Sequence, residues 1–309
     1  MTAPDAAASQ PRRSVWAPGR PVDLRATLGS LRGGGDPSYR VDRAGTVWWA
    51  TPTPCGDGTL ALASRPDSVH AVAWGEGAEW LLDAVPTLLG RDDHEGLASF
   101  RPRHRQVAEA LRRVPGWRVP RTRRPFEACM AAVVEQKVTG LEARSAWRRI
   151  LARFGRAAPG PMPLQVPPTP STWRGIDDWQ LQRAGVTPQR VRTLRAVAAA
   201  ASAVERTAEA RGGAADQVLR ALPGVGMWTS AEVRQRAHGD ADAVSFGDFH
   251  VAKDICWWLT GEVGDDDRMA ELLHDYVGHR FRVQRLLELT GAHRPRRAPR
   301  LTVPAHRGY

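Results

Sequence analysis

Hydrophobic and polar positions follow a two-residue period in the first third of the chain. Val22–Leu28 alternates apolar and polar side chains, and residues 46–50 are β-branched or aromatic, as in half-buried strands. The Asp-Gly pair at residues 57–58 precedes another apolar run and predicts a hairpin turn. Residues 76–90 place apolar side chains at helical spacing. The pattern therefore predicts a small α+β unit.

From residue 126 onward the period becomes helical. Apolar residues between Phe126 and Val133 fall at positions i, i+3, i+4 and i+7, and the same spacing returns between Trp147 and Phe154. Further helical patterns cover residues 188–204, 216–222, 228–236, 249–259 and 268–277. The predicted fold class is therefore mainly α, preceded by the α+β unit.

These patterns set four predicted stretches. They are a flexible arm over residues 1–21, an N-terminal α+β domain over 22–110, an all-α region over 111–292 and a disordered basic tail over 293–309. Residues 101–124 hold nine Arg and one Glu, and we expect them to be a basic connector between units.

Charge points to a polyanionic partner. The chain has 44 Lys and Arg against 33 Asp and Glu, a formal net charge of +11. Such a balance is typical of nucleic-acid-binding proteins, although a merely solubilising charge would give the same number. Three separated cysteines exclude a disulfide framework and a four-thiolate iron–sulfur cluster. No apolar run is long enough to span a bilayer and the start has no signal-peptide pattern, so a cytoplasmic location is expected.

The segment Leu222–Ser230 reads Leu-Pro-Gly-Val-Gly-Met-Trp-Thr-Ser and lies between two predicted helices. Gly224 and Gly226 permit positive φ and leave backbone N–H groups uncovered at the start of the second helix, where an anion binds favourably. An ordinary helix–helix turn is the simpler alternative. Asp248 follows 22 positions beyond Gly226, just before another predicted helix. Taken alone, an Asp at that place is an N-cap.

Together, the Pro-Gly-Val-Gly hairpin and the later Asp resemble the helix-hairpin-helix DNA glycosylase superfamily, and within it the 3-methyladenine DNA glycosylase II (AlkA-type) branch. The resemblance covers roughly residues 22–289. It implies a helix-hairpin-helix glycosylase fold of two helical lobes with a cleft between them, preceded by a TATA-binding-protein-like β domain.

The resemblance also implies a reaction. Such enzymes flip a damaged base, here expected to be an alkylated purine, out of double-stranded DNA and hydrolyse its N-glycosidic bond. Asp248 would stabilise the oxocarbenium-like transition state. Trp228 occupies the place of the Schiff-base lysine of lyase-coupled relatives, so a monofunctional, monomeric enzyme is expected, with no required cofactor. The alternatives are a non-catalytic protein that binds distorted DNA and a glycosylase for another lesion.

Further roles are carried over by position. Trp228 and Phe249 match residues that line the base pocket, and Glu288 stands where the family has a pocket aromatic residue. His250 is expected to face the pocket or the DNA, or else to cap or pack locally. The phosphate-binding hairpin would comprise Gly224, Val225, Gly226 and Thr229. The wedge that fills the gap left by the base would be Gln136 or Lys137. The backbone carbonyls of Arg220, Leu222 and Val225 would hold a structural, monovalent cation.

Overall fold

The computed structural model describes residues 10–31, 35–210, 213–291 and 294. Within these ranges the chain is mostly helical and carries a five-stranded antiparallel sheet near its N-terminus, so the predicted mainly α class is confirmed. The helices in the described part of the chain are all too short or too polar to cross a membrane. The first nine residues of the predicted arm and, apart from Arg294, the predicted basic tail lie outside the described residues.

The sheet has the spatial order β1-β5-β4-β3-β2, with every neighbouring pair antiparallel. The strands are β1 (Arg12–Trp16), β2 (Tyr39–Val41), β3 (Val47–Thr53), β4 (Gly56–Ser64) and β5 (Val69–Trp74). Helix α2 (Ala78–Leu88) packs on β4 and β5. Leu81 and Leu88 of this helix share one core with Leu60 and Leu62 of β4.

The prediction of a flexible arm over residues 1–21 is wrong for Arg12–Trp16, which form β1. This strand lies at the edge of the sheet, where Arg12 pairs with Ala73 and Trp16 pairs with Val69. Backbone pairing with β5 orders the segment despite its polar sequence, because each ladder hydrogen bond satisfies a main-chain group regardless of side chain.

The predicted strand over Val22–Leu28 is also wrong, because Leu24–Leu28 forms the short helix α1. Asp23 Oδ1 accepts the N–H of Ala26 at 2.9 Å and so caps the helix. Residues 24 and 28, one turn apart, both enter the core. The helix that Asp23 caps therefore forms despite the strand-like alternation of apolar and polar residues over Val22–Leu28.

The predicted Asp-Gly turn lies inside β4 instead. Gly58 pairs with Thr51 of β3, and the turn falls at residues 54–55. A Cβ at Gly58 would lie 2.5 Å from Leu81 Cδ1. The glycine thus makes room for α2 rather than bending the chain.

The other helices form two further cores. They are α3 (His94–Ser99), α4 (Arg105–Arg113), α5 (Pro125–Glu135), α6 (Gly140–Phe154), α7 (Pro170–Gly175), α8 (Asp178–Arg183), α9 (Pro188–Ala199), α10 (Ala201–Arg206), α11 (Gly213–Arg220), α12 (Met227–Val233), α13 (Val251–Thr260), α14 (Asp266–Leu272) and α15 (Arg280–Thr290). A π-helical turn, Arg234–His238, extends α12.

The first helical core surrounds α5. Every residue from Pro125 to Val134 is buried, because α6, α9 and α12 all pack against this helix. Glu127, on the same helix, accepts the hydroxyl of Thr51 in β3 at 2.5 Å, which joins the sheet to this core. A short ladder of β6 (Arg156–Ala157) and β7 (Gln165–Val166) interrupts the predicted all-α region.

The second core joins α4 to α13, α14 and α15. Val107 and Ala110 of α4 pack with Ile255, Phe281 and Leu286. The structure therefore ends the N-terminal unit before α4, rather than at the predicted boundary of residue 110.

The predicted basic connector over residues 101–124 contains α4 and several buried cations. Arg118, Arg121 and Arg124 are each less than 10% exposed. Arg121 forms an ion pair with Asp92 at 2.9 Å. These three arginines therefore hold neighbouring elements together and are not available to a polyanion.

Candidate active site

Asp248 lies in the loop before α13, and three N–H donors hold its carboxylate. Oδ1 accepts the backbone N–H of His250 at 2.8 Å and that of Val251 at 3.1 Å. Oδ2 accepts the indole N–H of Trp228 at 3.2 Å. The side chain is half-buried. Asp248 therefore lies at a helix start, as predicted. Its carboxylate is held by donors from the start of α13 and from Trp228 of α12.

The loop that carries Asp248 is itself held in place. Gly247 adopts a φ of +81° and donates its N–H to Asp266 Oδ2 at 2.8 Å. The N–H of Asp248 donates to the carbonyl of Ser245 at 3.3 Å. A turn with a left-handed glycine therefore brings the carboxylate to the N–H edge of the Trp228 indole.

The hairpin between α11 and α12 depends on Gly224. This residue has a φ of +84°, and a Cβ there would lie 2.0 Å from Thr193 Oγ1 on α9. Both the backbone conformation and the close packing therefore require glycine.

Two hairpin details differ from the prediction. Gly226 has a φ of −94° and a ψ of −172°, which is extended backbone, so only Gly224 of the two uses positive φ. The N–H of Val225 donates to the carbonyl of Leu222 at 3.0 Å and closes the turn. The open approach to the backbone is at Gly226, where an added Cβ would meet nothing within 4 Å.

Gln136 and Lys137, the two wedge candidates, have different environments. The Gln136 side chain donates to the carbonyl of Gly224 at 2.9 Å and to Thr229 Oγ1 at 2.8 Å, which fixes the end of α5 to the hairpin. Lys137 is exposed and adopts a φ of +51°. Of the two, Lys137 is the residue that faces solvent beside the hairpin.

A polar cavity of about 150 Å³ opens one turn along α12 from Trp228. Its lining includes Glu288, which the sequence had indicated, together with Glu232, which it had not. The full lining is Ser30, Glu232, Gln235, Arg236, Phe281, Gln284, Arg285 and Glu288.

Ser245 connects this cavity to the Asp248 loop. Its hydroxyl donates to Glu232 Oε1 at 2.7 Å, and it accepts the side-chain amides of Gln235 at 2.9 Å and Gln284 at 3.2 Å. Gln284 in turn accepts the N–H of Ser245 at 3.0 Å. The cavity wall and Asp248 are therefore parts of one hydrogen-bonded unit.

The two carboxylates of the cavity are paired with arginines. Glu232 accepts Arg236 Nη2 at 2.7 Å, and Glu288 accepts Arg285 Nη1 at 2.8 Å. Burial raises the pKa of the Glu232 carboxyl to about 7, with Arg236 opposing this rise and Glu135 adding to it. Arg236 also contacts Glu135 at 2.8 Å, and although burial lowers the pKa of its guanidinium, the two carboxylates raise it above the usual value.

Phe249 and His250 do not reach the cavity. Phe249 is 71% exposed, with its ring edge-on to His250 and the ammonium of Lys253 at 3.9 Å from its centroid. His250 is exposed as well. Both rings therefore lie on the surface next to Asp248, outside the wall of this cavity, and their pocket roles remain predictions.

The carbonyls predicted to hold a cation lie at the end of α11 and in the turn after it. The Leu222 carbonyl accepts the N–H of Val225, which leaves it a second lone pair for a cation. The donor set thus fits a hard, weakly held ion, with Arg220 supplying a third carbonyl, and the cation remains a prediction.

Glu232, Ser245 and Gln284 were missed at the level of the sequence. Glu232 follows Trp228 by four positions and therefore lies on the same helix face, which is a signal the sequence contains. Ser245 and Gln284 lie 39 positions apart, and only the tertiary fold brings them into contact.

Comparison with known proteins places this geometry in context. No protein-family model matches the chain. It is 28% identical over 238 residues to a probable bifunctional transcriptional activator/DNA repair enzyme AlkA of Mycobacterium tuberculosis, a match that covers 74% of this chain and 47% of the relative. The chain spans about half the length of the curated relatives it matches.

Solved structures share the fold. A 3-methyladenine DNA glycosylase from Archaeoglobus fulgidus superposes with a TM-score of 0.75 at 17% identity, over 89% of this chain and 97% of that one. An 8-oxoguanine glycosylase/lyase of Clostridium acetobutylicum, in complex with double-stranded DNA, gives a TM-score of 0.67 at 11% identity, over 87% and 91%.

Proposed function

Because the chain is homologous to AlkA and has the fold of helix-hairpin-helix DNA glycosylases, we propose that it is a monofunctional DNA N-glycosylase of base excision repair. The substrate would be a damaged purine in double-stranded DNA, and alkylated purines are the proposed class. The oriented carboxylate of Asp248, 22 residues after the hairpin, is the observation that carries the proposal.

The proposed reaction is hydrolysis at C1′ of the extruded nucleotide. The bond between C1′ and the base nitrogen breaks, and its electron pair leaves with the base. The oxygen of water bonds to C1′ and a proton is released. Asp248 would face the positive charge that develops on the sugar and lower the energy of the transition state. Three N–H donors already fix its carboxylate, so the side chain need not reorganise during the reaction.

DNA would be held on either side of this carboxylate. The extended backbone at Gly226 is open to a phosphate. Thr229, in the first turn of α12, is buried and its hydroxyl accepts the Gln136 amide. Lys137, which is exposed, would enter the gap left by the extruded base or contact a phosphate beside it. The five-stranded sheet would be the TATA-binding-protein-like domain that precedes the helical lobes in the AlkA-type branch.

The absence of a strand-cutting step is part of the proposal. Trp228 occupies the position where lyase-coupled relatives carry a lysine, and its indole N–H is committed to Asp248. Lys253 lies over the exposed ring of Phe249. Borohydride should therefore trap no protein–DNA adduct during turnover, whereas a trapped adduct would show Schiff-base chemistry.

The test is base release from a panel of duplexes that carry methylated, deaminated or oxidised bases. Purified protein should convert the methylated duplexes to alkali-labile abasic sites. Tight binding to all duplexes with release from none would instead favour a non-catalytic protein that recognises distorted DNA. Release confined to oxidised or deaminated bases would overturn the alkylated-purine assignment alone.

A further inference from the structure

The cavity beside α12 has a polar lining and a volume of about 150 Å³, which is room for the hydrogen-bonding edge of a base and not for a single water alone. Phe281 is the lone aromatic residue among the described lining residues. Stacking on aromatic faces is thus not the main interaction that this cavity offers a base.

Unused hydrogen-bond acceptors face this space. Gln235 is 6% exposed, and its amide N–H groups are committed to Ala243 and Ser245, whereas its Oε1 accepts no hydrogen bond from the described part of the chain. Glu232 and Glu288 each accept one hydrogen bond per carboxylate oxygen, which leaves further lone pairs on both. These acceptors are therefore available to N–H donors of a ligand in the cavity.

The net charge of the lining residues gives the cavity little attraction for a cationic base. Arg236 and Arg285 each pair with one of the two lining carboxylates, and Arg236 is shared with Glu135 outside the lining, so the lining itself has no excess of one charge. Attraction of a cationic base by charge alone is therefore weak, and directional hydrogen bonding remains as the source of selectivity.

We propose that this cavity recognises the extruded base through its N–H donors, and that the preferred base is a guanine-type purine, whose edge carries an amino group beside a ring N–H. The proposal rests on the glycosylase function above and names the substrate class of that site. Glu232, Glu288 and Gln235 are the specificity-determining residues.

The protonation of Glu232 supports this assignment. Arg236 and Glu135 face it from the π-helical turn and α5, Ser245 from the Asp248 loop, and Glu288 from α15. Its pKa of about 7 lets the carboxyl become a charged acceptor near neutral pH when N–H donors arrive.

The test compares two bases that differ by one amino group. Duplexes carrying 7-methylguanine or 7-methylhypoxanthine are incubated with excess wild type, Glu288→Gln, Glu232→Gln and the exposed control Glu262→Gln. Rates are corrected for spontaneous base loss. Wild type and the control should release 7-methylguanine about tenfold to a hundredfold faster than 7-methylhypoxanthine, because 7-methylhypoxanthine lacks the amino group and so loses one charge-assisted hydrogen bond. Glu288→Gln should reduce this ratio by about tenfold.

The outcomes separate this inference from the proposed function. Equal rates for the two bases in wild type, or an unchanged ratio in both cavity variants, would overturn the cavity assignment while the glycosylase stands. If wild type releases neither base, the proposed function fails for these lesions. Binding of the free bases, followed by NMR chemical shifts, then decides the inference: preference for free 7-methylguanine that Glu288→Gln removes supports it, and equal binding contradicts it.

Discussion

The hairpin and the polar cavity share α12, yet different constraints determine their residues. In the hairpin, Gly224 is required by a φ of +84° and by the proximity of Thr193, so the backbone dictates the residue type. In the cavity, Glu232 and Glu288 have ordinary helical backbones, and their identity matters only to what they face. A motif therefore predicts the backbone of the hairpin that is proposed to bind DNA, while the proposed choice of base depends on side chains that any helix could carry.

The strongest effect is expected from replacing Gly224. Gly224→Ala should lower the free energy of unfolding by about 2–4 kcal/mol, because alanine is strained at this φ and its Cβ would collide with Thr193. Gly226→Ala is the matched control, with open space and extended backbone, and should change stability by no more than ~0.5 kcal/mol while weakening DNA binding. Denaturant unfolding measures both variants. Equal destabilisation of the two variants would show that the backbone requires glycine no more at position 224 than at position 226.

The cavity is expected to respond to pH where the hairpin does not. Glu232 has a folded-state pKa of about 7, above its ordinary value of 4.5, so the folded state binds a proton that the unfolded state has released between these values. Its contribution to stability is therefore fully present below pH ~4.5 and lost as pH rises through ~7. Glu232→Gln has no proton to lose at this position. As pH rises from ~4.5 to above ~7, its free energy of unfolding should therefore increase by ~1–3 kcal/mol relative to that of wild type.

Denaturant unfolding at several pH values gives this difference. Glu262→Gln, at an exposed position, should follow the wild-type pH profile. A Glu232→Gln profile parallel to wild type would show that Glu232 is ionised in the folded protein throughout.

Gln136 and Lys137 should separate positioning from DNA contact. Gln136→Ala loses two hydrogen bonds to the hairpin and should destabilise the fold by about 1–2 kcal/mol. Lys137→Ala, at an exposed position, should leave stability unchanged but reduce the slope of log affinity against log salt by about one, as expected for one lost phosphate contact. An unchanged slope would remove Lys137 from the DNA interface.

Sequence reasoning located the helices and the Asp248 loop but not the N-terminal strand or the cavity. The helix over Pro125–Glu135 and the helix start after Asp248 follow from spacing within about fifteen residues. The strand Arg12–Trp16 has no apolar period, because its order comes from pairing with residues 53 to 61 positions away. Its neighbours in the sheet, not its own side chains, determine its structure.

The cavity shows the same limit at the site. Glu288 was found through a resemblance, whereas Ser245 acquires its role only by meeting Gln284 and Glu232 in the fold. Phe249 follows Asp248 directly, yet the local turn leaves its ring exposed. Adjacency to Asp248 in the sequence therefore did not predict a place in the wall of the cavity.

The central claim is that Asp248 performs the chemistry while other groups hold the DNA. The most direct measurement is the single-turnover rate of base release and the DNA affinity of wild type, Asp248→Asn and the exposed control Asp267→Asn, all on one methylated duplex. Asp248→Asn should slow release by about 100- to 1,000-fold and retain DNA binding, because it removes charge stabilisation of the transition state. Asp267→Asn should behave as wild type. Release by Asp248→Asn at the wild-type rate would contradict the account.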